Sequence, residues 1–350
     1  MQSLIIAQCG ISSYKIDFQQ PFSFAGNTLT QREGFYVLLK SDSGLSAQGE
    51  IAPLPGLSEE TFRRAQHDLK EVCLYLNKLE VPADKDALIA FLRQDQHMRN
   101  CCSSVRFGVE SAVMGLAAKA AGQTLVEFLG SHLKNVPTAA LLQGPHAQVL
   151  ADAKRMSAAG YKVFKLKVGD RNIALDVKKV QDLRAILDEG GAIRLDGNKV
   201  WSLKEALIFA ELVGNAHIEY IEEPLSNPAD LNQFYSKTHM PVALDETLSV
   251  LRCGVQAPGR CSPTLANHEG VKVFVLKPTI VGGLIATLDW INEAKSLGKK
   301  AVISSSFESE VGLKILVQLA CLTDTVAGLG TERWLKGSKP LVNESGIILQ

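Results

Sequence analysis

The 350-residue chain has no excess charge of either sign, with 37 Lys and Arg against 37 Asp and Glu. Nucleic-acid binding rests on neutralising phosphates with a basic surface, and attachment to anionic membranes needs a basic cluster, so neither class is expected. No run of about 18 apolar residues occurs, which excludes a membrane-spanning helix on sequence grounds. The opening Met1-Gln-Ser-Leu-Ile-Ile-Ala lacks the basic start and apolar length of a secretory signal. No GxGxxG follows an early strand and no GxxxxGK[ST] occurs, so two nucleotide-binding folds lose their main support. Cysteine is sparse and odd in number, seven in all, with no CxxC. Cys253, Cys261 and His268 share one stretch, but their spacing fits no zinc template and a fourth ligand is missing. The cysteines are therefore expected to be reduced, mostly buried thiols of a cytoplasmic protein.

What is present is ample apolar material: 46% of residues are hydrophobic, enough for a large core. The length suggests two domains, or one large α/β barrel with an addition. The first hundred residues read as strands followed by helices. Tyr14–Phe18 alternates, and Gly34–Leu39 and Ser46–Ile51 flank the turn signal Ser41-Asp-Ser-Gly44. Ser58-Glu-Glu is expected to open a helix carrying Phe62, Ala65, Leu69, Val72 and Leu76 on one stripe. A second helix is expected from about Ser104 to Ala121, stopped by Gly122.

From about residue 136 short apolar strands alternate with helical stretches of ten to fifteen residues. The expected strands are Thr138–Leu142, Val163–Val168, Ile193–Asp196, Tyr220–Glu222, Val242–Asp245, Val273–Lys277 and Ala301–Ser305. Helices are expected to start near Asn172, Ser202, Asp230, Leu284 and Glu310. Seven or eight such units suit an α/β fold of the TIM-barrel type, preceded by a small α+β unit that gives way near residue 105.

Polar residues stand at the ends of these strands. Side chains alternate faces along a strand, so Lys165 and Lys167 share one face while Phe164, Leu166 and Val168 take the apolar one. Two lysines on one face of a buried strand are tolerable only if that face opens into a polar site. Arg194 and Asp196 pair in the same way, and Glu222, Asp245 and Lys277 each close a strand; Ser304 and Ser306 follow the last. Lys167, Asp196, Glu222, Asp245, Lys277 and Ser304 are separated by 23 to 32 residues, about one βα unit each. Each strand thus delivers its polar residue to the C-terminal rim, where TIM-barrel active sites lie. Any one of these residues alone reads first as a solvated strand end or a helix cap, and Arg194 or Asn198 as a prop for the carboxylates; the whole set in order, each at the end of an apolar strand, reads as a site. Three carboxylates from neighbouring strands, without Cys or His, suit a hard cation such as Mg²⁺. A lysine serves as a base only if its pKa falls from about 10.4 towards neutrality. Lys165 and a nearby cation would both push Lys167 in that direction.

The segments Lys165-Leu-Lys167, Arg194-Leu-Asp196-Gly-Asn198, Ile221-Glu222-Glu-Pro224, Ala243-Leu-Asp245-Glu246, Val275-Leu-Lys277-Pro278 and Val302-Ile-Ser-Ser-Ser-Phe-Glu-Ser309 resemble the enolase superfamily, with the muconate-lactonising type of site. The resemblance covers essentially the whole chain and implies a (β/α)₇β barrel over residues 106–329 with an N-terminal α+β capping domain over residues 1–105, completed by residues 330–350. It implies Lys167 as the base, Lys277 as the cation on the opposite side and Lys165 beside them. It implies Asp196, Glu222 and Asp245 as ligands of Mg²⁺, with Mn²⁺ as the alternative. Enolase-superfamily sites of this kind are a worked example of a Lys or His base acting with Mg²⁺ on an enediolate. The Ser-Ser-Ser-x-Glu-Ser stretch points to the branch that removes water, in syn fashion, from 2-succinyl-6-hydroxy-2,4-cyclohexadiene-1-carboxylate to give 2-succinylbenzoate on the way to menaquinone. Ser304, Ser306, Arg194 and Asn198 are the candidate substrate contacts. The loops Pro21–Asn27 and Pro53–Gly56 are candidates to close over the site. Gly197 departs from the alanine common at that position, and the Asp-x-Asp expected of a dipeptide epimerase is absent after the last strand. Two rivals remain: a racemase or epimerase of N-acylated amino acids or dipeptides, and a barrel that binds a metal or partner without catalysis. The partner expected is a small carboxylate; oligomeric state is not legible.

Overall fold

The structure is a computed structural model. It describes residues 3–24, 27–169, 172–250, 268–337 and 347–348. Cys253, Cys261 and part of the two terminal and loop segments named above (25–26 and 338–346) lie outside the described residues.

Four strands form an antiparallel sheet: β1 (Ser3–Phe24), β2 (Asn27–Ser41), β3 (Ser46–Ile51) and β4 (Leu79–Pro82), in the order β3-β2-β1-β4. The β2–β3 hairpin turns where expected, with Lys40 opposite Ser46 and Gly44 at φ 85°. Helix α1 (Phe62–Leu76) begins later than Ser58. Its N-cap is Thr61, whose hydroxyl accepts from Arg64 N, while Ser58 Oγ is taken by Leu54 N. Cys9 of β1 and Cys73 of α1 are joined by a disulfide, so the expectation of reduced thiols fails for this pair. An odd cysteine count says nothing about which two side chains a sheet and its helix bring face to face.

Helices α2 (Lys85–Gln94) and α3 (Ser103–Ala120) complete this layer. Helix α3 crosses β3 at glycines: a Cβ on Gly49 would lie 1.8 Å from Gly108 O. The far side of α3 meets the barrel. There the carboxylate of Glu110, 4% exposed, accepts from Ile285 N at 2.9 Å and caps a barrel helix.

A short pair, β5 (Val136–Pro137), precedes the barrel strands β6 (Ala140–Leu142), β7 (Val163–Lys167), β8 (Ala192–Asp196), β9 (Ile218–Glu222), β10 (Val242–Leu244), β11 (Val271–Leu276) and β12 (Lys300–Ile303). The seven strands β6 to β12 are parallel neighbours in chain order. The two-residue β13 (Ile347–Ile348) returns to pair with β5. Closure comes from a stretch too short to show strand periodicity. Ala327 bridges Thr138 and Gly328 bridges Ser304, with Ala139 N donating to Ala327 O and Gly328 N to Ile303 O, each at 2.8 Å.

Between the strands run α4 (His146–Ala158), α5 (Ile173–Arg184), α6 (Leu203–Val213), α7 (Leu231–Thr238), α8 (Leu284–Ser296) and α9 (Glu310–Ala320). Asn172, Ser202 and Ser309 cap three of them with side-chain oxygens. Phe164, Leu166, Ile193, Leu195, Phe274 and Ile303 pack outward into this helical shell. Burial contributes roughly 1.5–3 kcal/mol for each such side chain. Tyr220, Ala243, Val273, Val275 and Val302 fill the barrel interior.

Candidate active site

Parallel register sets the site. Lys167 lies beside Asp196 and Asp196 beside Glu222, while Lys165, Arg194 and Tyr220 form the row below. Asp245 follows β10, and Lys277 follows β11, four strands away from β7 and so across the barrel from Lys167.

The carboxylates and ammonium groups interlock. Lys165 Nζ lies 2.8 and 2.9 Å from the two oxygens of Glu222 and 3.0 Å from Asp196 Oδ2. Lys277 Nζ is hydrogen-bonded to Asp245 Oδ2. Burial by itself would discharge Lys165, but Asp196, Glu222 and Asp245 outweigh it and hold its pKa well above the usual value. Burial and the charge of Asp196 push Glu222 well up. Burial raises Asp245 as well, yet Lys277 and a hydrogen bond from Glu222 bring it below the ordinary range. Lys167 is exposed and lines the central cavity, together with Lys165, Asp196, Glu222 and Lys277.

As they stand, no three His, Cys, Asp or Glu side chains among the described residues are grouped closely enough to hold a cation, because the ammonium groups stand between the acids. The donor set nonetheless suits one. It is all carboxylate, its like charges already force Glu222 upwards, and two oxygens at its edge, Asn198 Oδ1 and Glu246 Oε2, are buried without a partner. A divalent cation answers each of these, and oxygen-only ligation is what Mg²⁺ takes.

The structure separates the four candidate substrate contacts. Ser304 lines the cavity. Ser306 does not: β12 stops at Ile303, strand alternation stops with it, and Ser305 faces the cavity instead. Ser306 Oγ is buried without a partner. Arg194 lines the cavity floor but is 1% exposed and already engaged. Its Nε lies 2.7 Å from Glu219 Oε2 and its Nη1 donates to Val326 O at 2.8 Å, a strut from β8 to the closing segment. Asn198 sits at φ 42° and serves the acids, its N–H donating to Asp196 Oδ1 at 3.2 Å and its Nδ2 to Glu246 Oε1 at 3.3 Å.

Sequence reasoning missed Glu223. Its carboxylate accepts from Asp245 N (2.8 Å), Thr247 N (2.7 Å) and Thr247 Oγ1 (2.7 Å), fixing the turn that presents Asp245. The Glu222-Glu223 doublet was the available signal. At Gly197 a Cβ would lie 3.1 Å from Glu223 O and from Pro224 Cα, so an alanine there needs those neighbours to shift only slightly. Phe307 and Thr331 also line the cavity, and neither is marked by strand pattern. Of the candidate closing loops, Leu54 packs with Phe18, Phe307 and Leu335 in a small core at the junction of sheet and barrel.

Residues 148–338 match the family described as "Enolase C-terminal domain-like", and residues 6–116 match "MenC, N-terminal domain". The chain is 33% identical to o-succinylbenzoate synthase of Vibrio cholerae serotype O1 (strain M66-2), over 91% of this chain and 87% of that protein. The chain belongs to the o-succinylbenzoate synthase family. A second member, from Aliivibrio fischeri (strain MJ11), is 31% identical over 92% of this chain and 89% of its own length. The fold of the family extends to proteins of other names: the dipeptide epimerase of Enterococcus faecalis V583, complexed with Mg and a dipeptide, superposes with a TM-score of 0.84 at 19% identity, covering 99% of this chain and 96% of that one. The barrel with its antiparallel N-terminal sheet agrees with the architecture expected from strand spacing and resemblance.

Proposed function

We propose that the chain is an o-succinylbenzoate synthase, a hydro-lyase that converts 2-succinyl-6-hydroxy-2,4-cyclohexadiene-1-carboxylate to 2-succinylbenzoate and water on the way to menaquinone. The observation that carries this reading is Lys167, Asp196, Glu222 and Lys277 around one cavity, with Asp245 hydrogen-bonded to Lys277, in a chain of this family.

A proton next to a carboxylate is very weakly acidic because its loss makes a dianion. Lys167 Nζ takes that proton from one side, and the Lys277 ammonium holds the developing charge from the other. Asp196, Glu222 and Asp245 would hold a divalent ion, Mg²⁺ or Mn²⁺, whose chemistry is Lewis-acid stabilisation of the same charge. Lys165, bridging Glu222 and Asp196, keeps the acids in register. The electron pair left on carbon forms the new ring double bond as the C–O bond to the hydroxyl breaks. Protonated Lys167 returns its proton to that hydroxyl, which leaves as water, so the base is regenerated. One lysine can take the proton and then protonate the departing hydroxyl only if both leave from the same face of the ring, hence syn elimination.

The alternative within the same site is proton exchange at a carbon between Lys167 and Lys277, the racemase or epimerase reading, and its supporting observation is their placement on opposite strands. The proposed compartment is the cytoplasm, supported by the free thiols of Cys101, Cys102 and Cys321, with the Cys9–Cys73 disulfide as the observation that counts the other way. No helix among the described residues is long and apolar enough to cross a membrane.

The test follows the ultraviolet absorbance of the cyclohexadiene substrate with Mg²⁺ or Mn²⁺, with EDTA, and with Lys167→Ala. Dehydration is expected with metal, and loss of at least a hundredfold with EDTA or without Lys167. Full activity in Lys167→Ala refutes its role. Solvent deuterium entering N-acylated amino acids without dehydration decides for the epimerase. An inert substrate under every condition leaves a barrel that only binds.

A further inference from the structure

We infer that Glu50 and Arg32, two charged residues of the N-terminal sheet, are positioning residues for the substrate pocket, gripping segment 304–312 of the barrel at Phe307 and at Ser309–Gly312. This rests on the dehydration reading and names the part of the chain outside the barrel that sets substrate affinity.

Glu50 lies on β3 with no exposed surface. A carboxylate survives such burial only if its lone pairs are used. Here the Tyr14 hydroxyl donates to it from the sheet, and every other donor comes from the barrel: Ser309 N at 2.8 Å, Ser309 Oγ at 2.6 Å and Gly312 N at 2.7 Å. These groups form the N-terminus of α9, where unpaired N–H groups and the helix dipole favour negative charge. The approach depends on glycine, since a Cβ on Gly312 would lie 2.7 Å from Glu50 Oε2.

Arg32 lies on β2 and is 1% exposed. Its guanidinium donates to Phe307 O at 3.1 Å, to Pro53 O at 2.6 Å and to Ala52 O. Phe307 sits in the left-handed region at φ 61°, a conformation a bulky residue holds only when its surroundings impose it. Within the segment, Ser305 Oγ accepts from Phe307 N at 3.0 Å, and Glu308 Oε2 accepts from Ser305 Oγ at 2.7 Å and Ser306 N at 2.6 Å. Ser304, Ser305 and Phe307 line the cavity, yet they follow the end of β12 and have no full strand ladder to shape them. Two charges reaching in from another sheet do that work. Neither touches Lys167, Lys277 or the acids, so loosening the grip should weaken substrate binding and leave the chemistry alone.

The experiment compares wild type with Glu50→Gln, Ser309→Ala and Arg32→Lys by steady-state dehydration with Mg²⁺, by thermal melting, and by amide hydrogen exchange of 304–312 without substrate. Glu50→Gln keeps shape and one acceptor while removing the charge; Ser309→Ala is a mild change that keeps the measurement available if Glu50→Gln folds poorly. KM is expected to rise on the order of tenfold, the effect of losing one charge-assisted bond, with kcat within about threefold. Exchange at 304–312 should quicken while β7 to β9 stay protected. The inference is overturned if exchange at 304–312 is unchanged in all three variants, if it quickens with KM unchanged, or if kcat falls while KM does not. Wild-type protein that leaves the substrate untouched refutes the dehydration reading separately, and the exchange measurement still decides whether the sheet grips this segment.

Discussion

Glu110 makes stability depend on pH in a calculable way. Its carboxyl is buried between α3 and α8, and burial pushes its pKa from 4.5 up to about 7 despite the N–H groups of Ile285 and Leu284 and the charge of Arg106, while Asp289 adds to the rise. A folded-state pKa above the unfolded one means that the native form binds the proton more tightly. The contribution to stability is therefore fully present below pH 4.5 and is lost as pH rises through 7. At 1.36 kcal/mol per pKa unit, the loss approaches about 3 kcal/mol by pH 8. Glu110→Gln supplies a permanently neutral side chain of the same shape. The variant should gain on wild type by about 2.5 kcal/mol between pH 5 and pH 8, several degrees in melting temperature. Urea unfolding at pH 5, 6, 7 and 8 measures this. Comparing the two proteins at each pH cancels the titrations of the other groups, which both share. Parallel pH profiles would refute the reasoning, because they would mean that Glu110 ionises equally in both states.

Three further outcomes follow from the packing. Arg194→Leu strips the strut between Glu219 and Val326 and should destabilise the fold by about 3 kcal/mol, read in a thermal melt; an unchanged melt would show the strut to be idle. Gly49→Ala forces a methyl to within 1.8 Å of Gly108 O and should abolish soluble folded protein, whereas Gly10→Ala, whose Cβ would meet only Leu38 O at 3.8 Å, should stay close to wild-type stability. Without reductant Cys9 and Cys73 should resist alkylation, and dithiothreitol should cost roughly 4 kcal/mol for a loop of 64 residues; labelling of both under native conditions would contradict the bond.

Polar residues at the ends of apolar strands were legible because strand alternation and βα spacing are local, periodic signals. Helix starts at Asn172, Ser202 and Glu310 were legible for the same reason, since capping residues sit next to what they cap. The failures share a cause. Glu50 reads as an ordinary polar position in a hairpin, and its partner Ser309 is 259 residues away. Alternation carried on to Ser306 runs past Ile303, where the strand ends. Arg194 points into the barrel, as its register implies, but whether it meets a ligand or Val326 depends on the segment that closes the barrel. That segment carries two bridging residues and no period. Cys9 and Cys73 are separated by a fold, not by a motif.

The bridges at Ala327 and Gly328 also bear on how the chain is made. Until residue 328 leaves the ribosome, β6 and β12 are open edges of a seven-stranded parallel sheet, each exposing unpaired N–H and C=O groups. Such edges recruit strands from other molecules. A nascent chain must hold most of its barrel unsealed through synthesis, then zip Thr138 to Ala327 across 189 positions in a late, slow contact. A stop codon shortly before residue 327 would remove no catalytic side chain, and its predicted consequence is aggregation rather than a weakened enzyme.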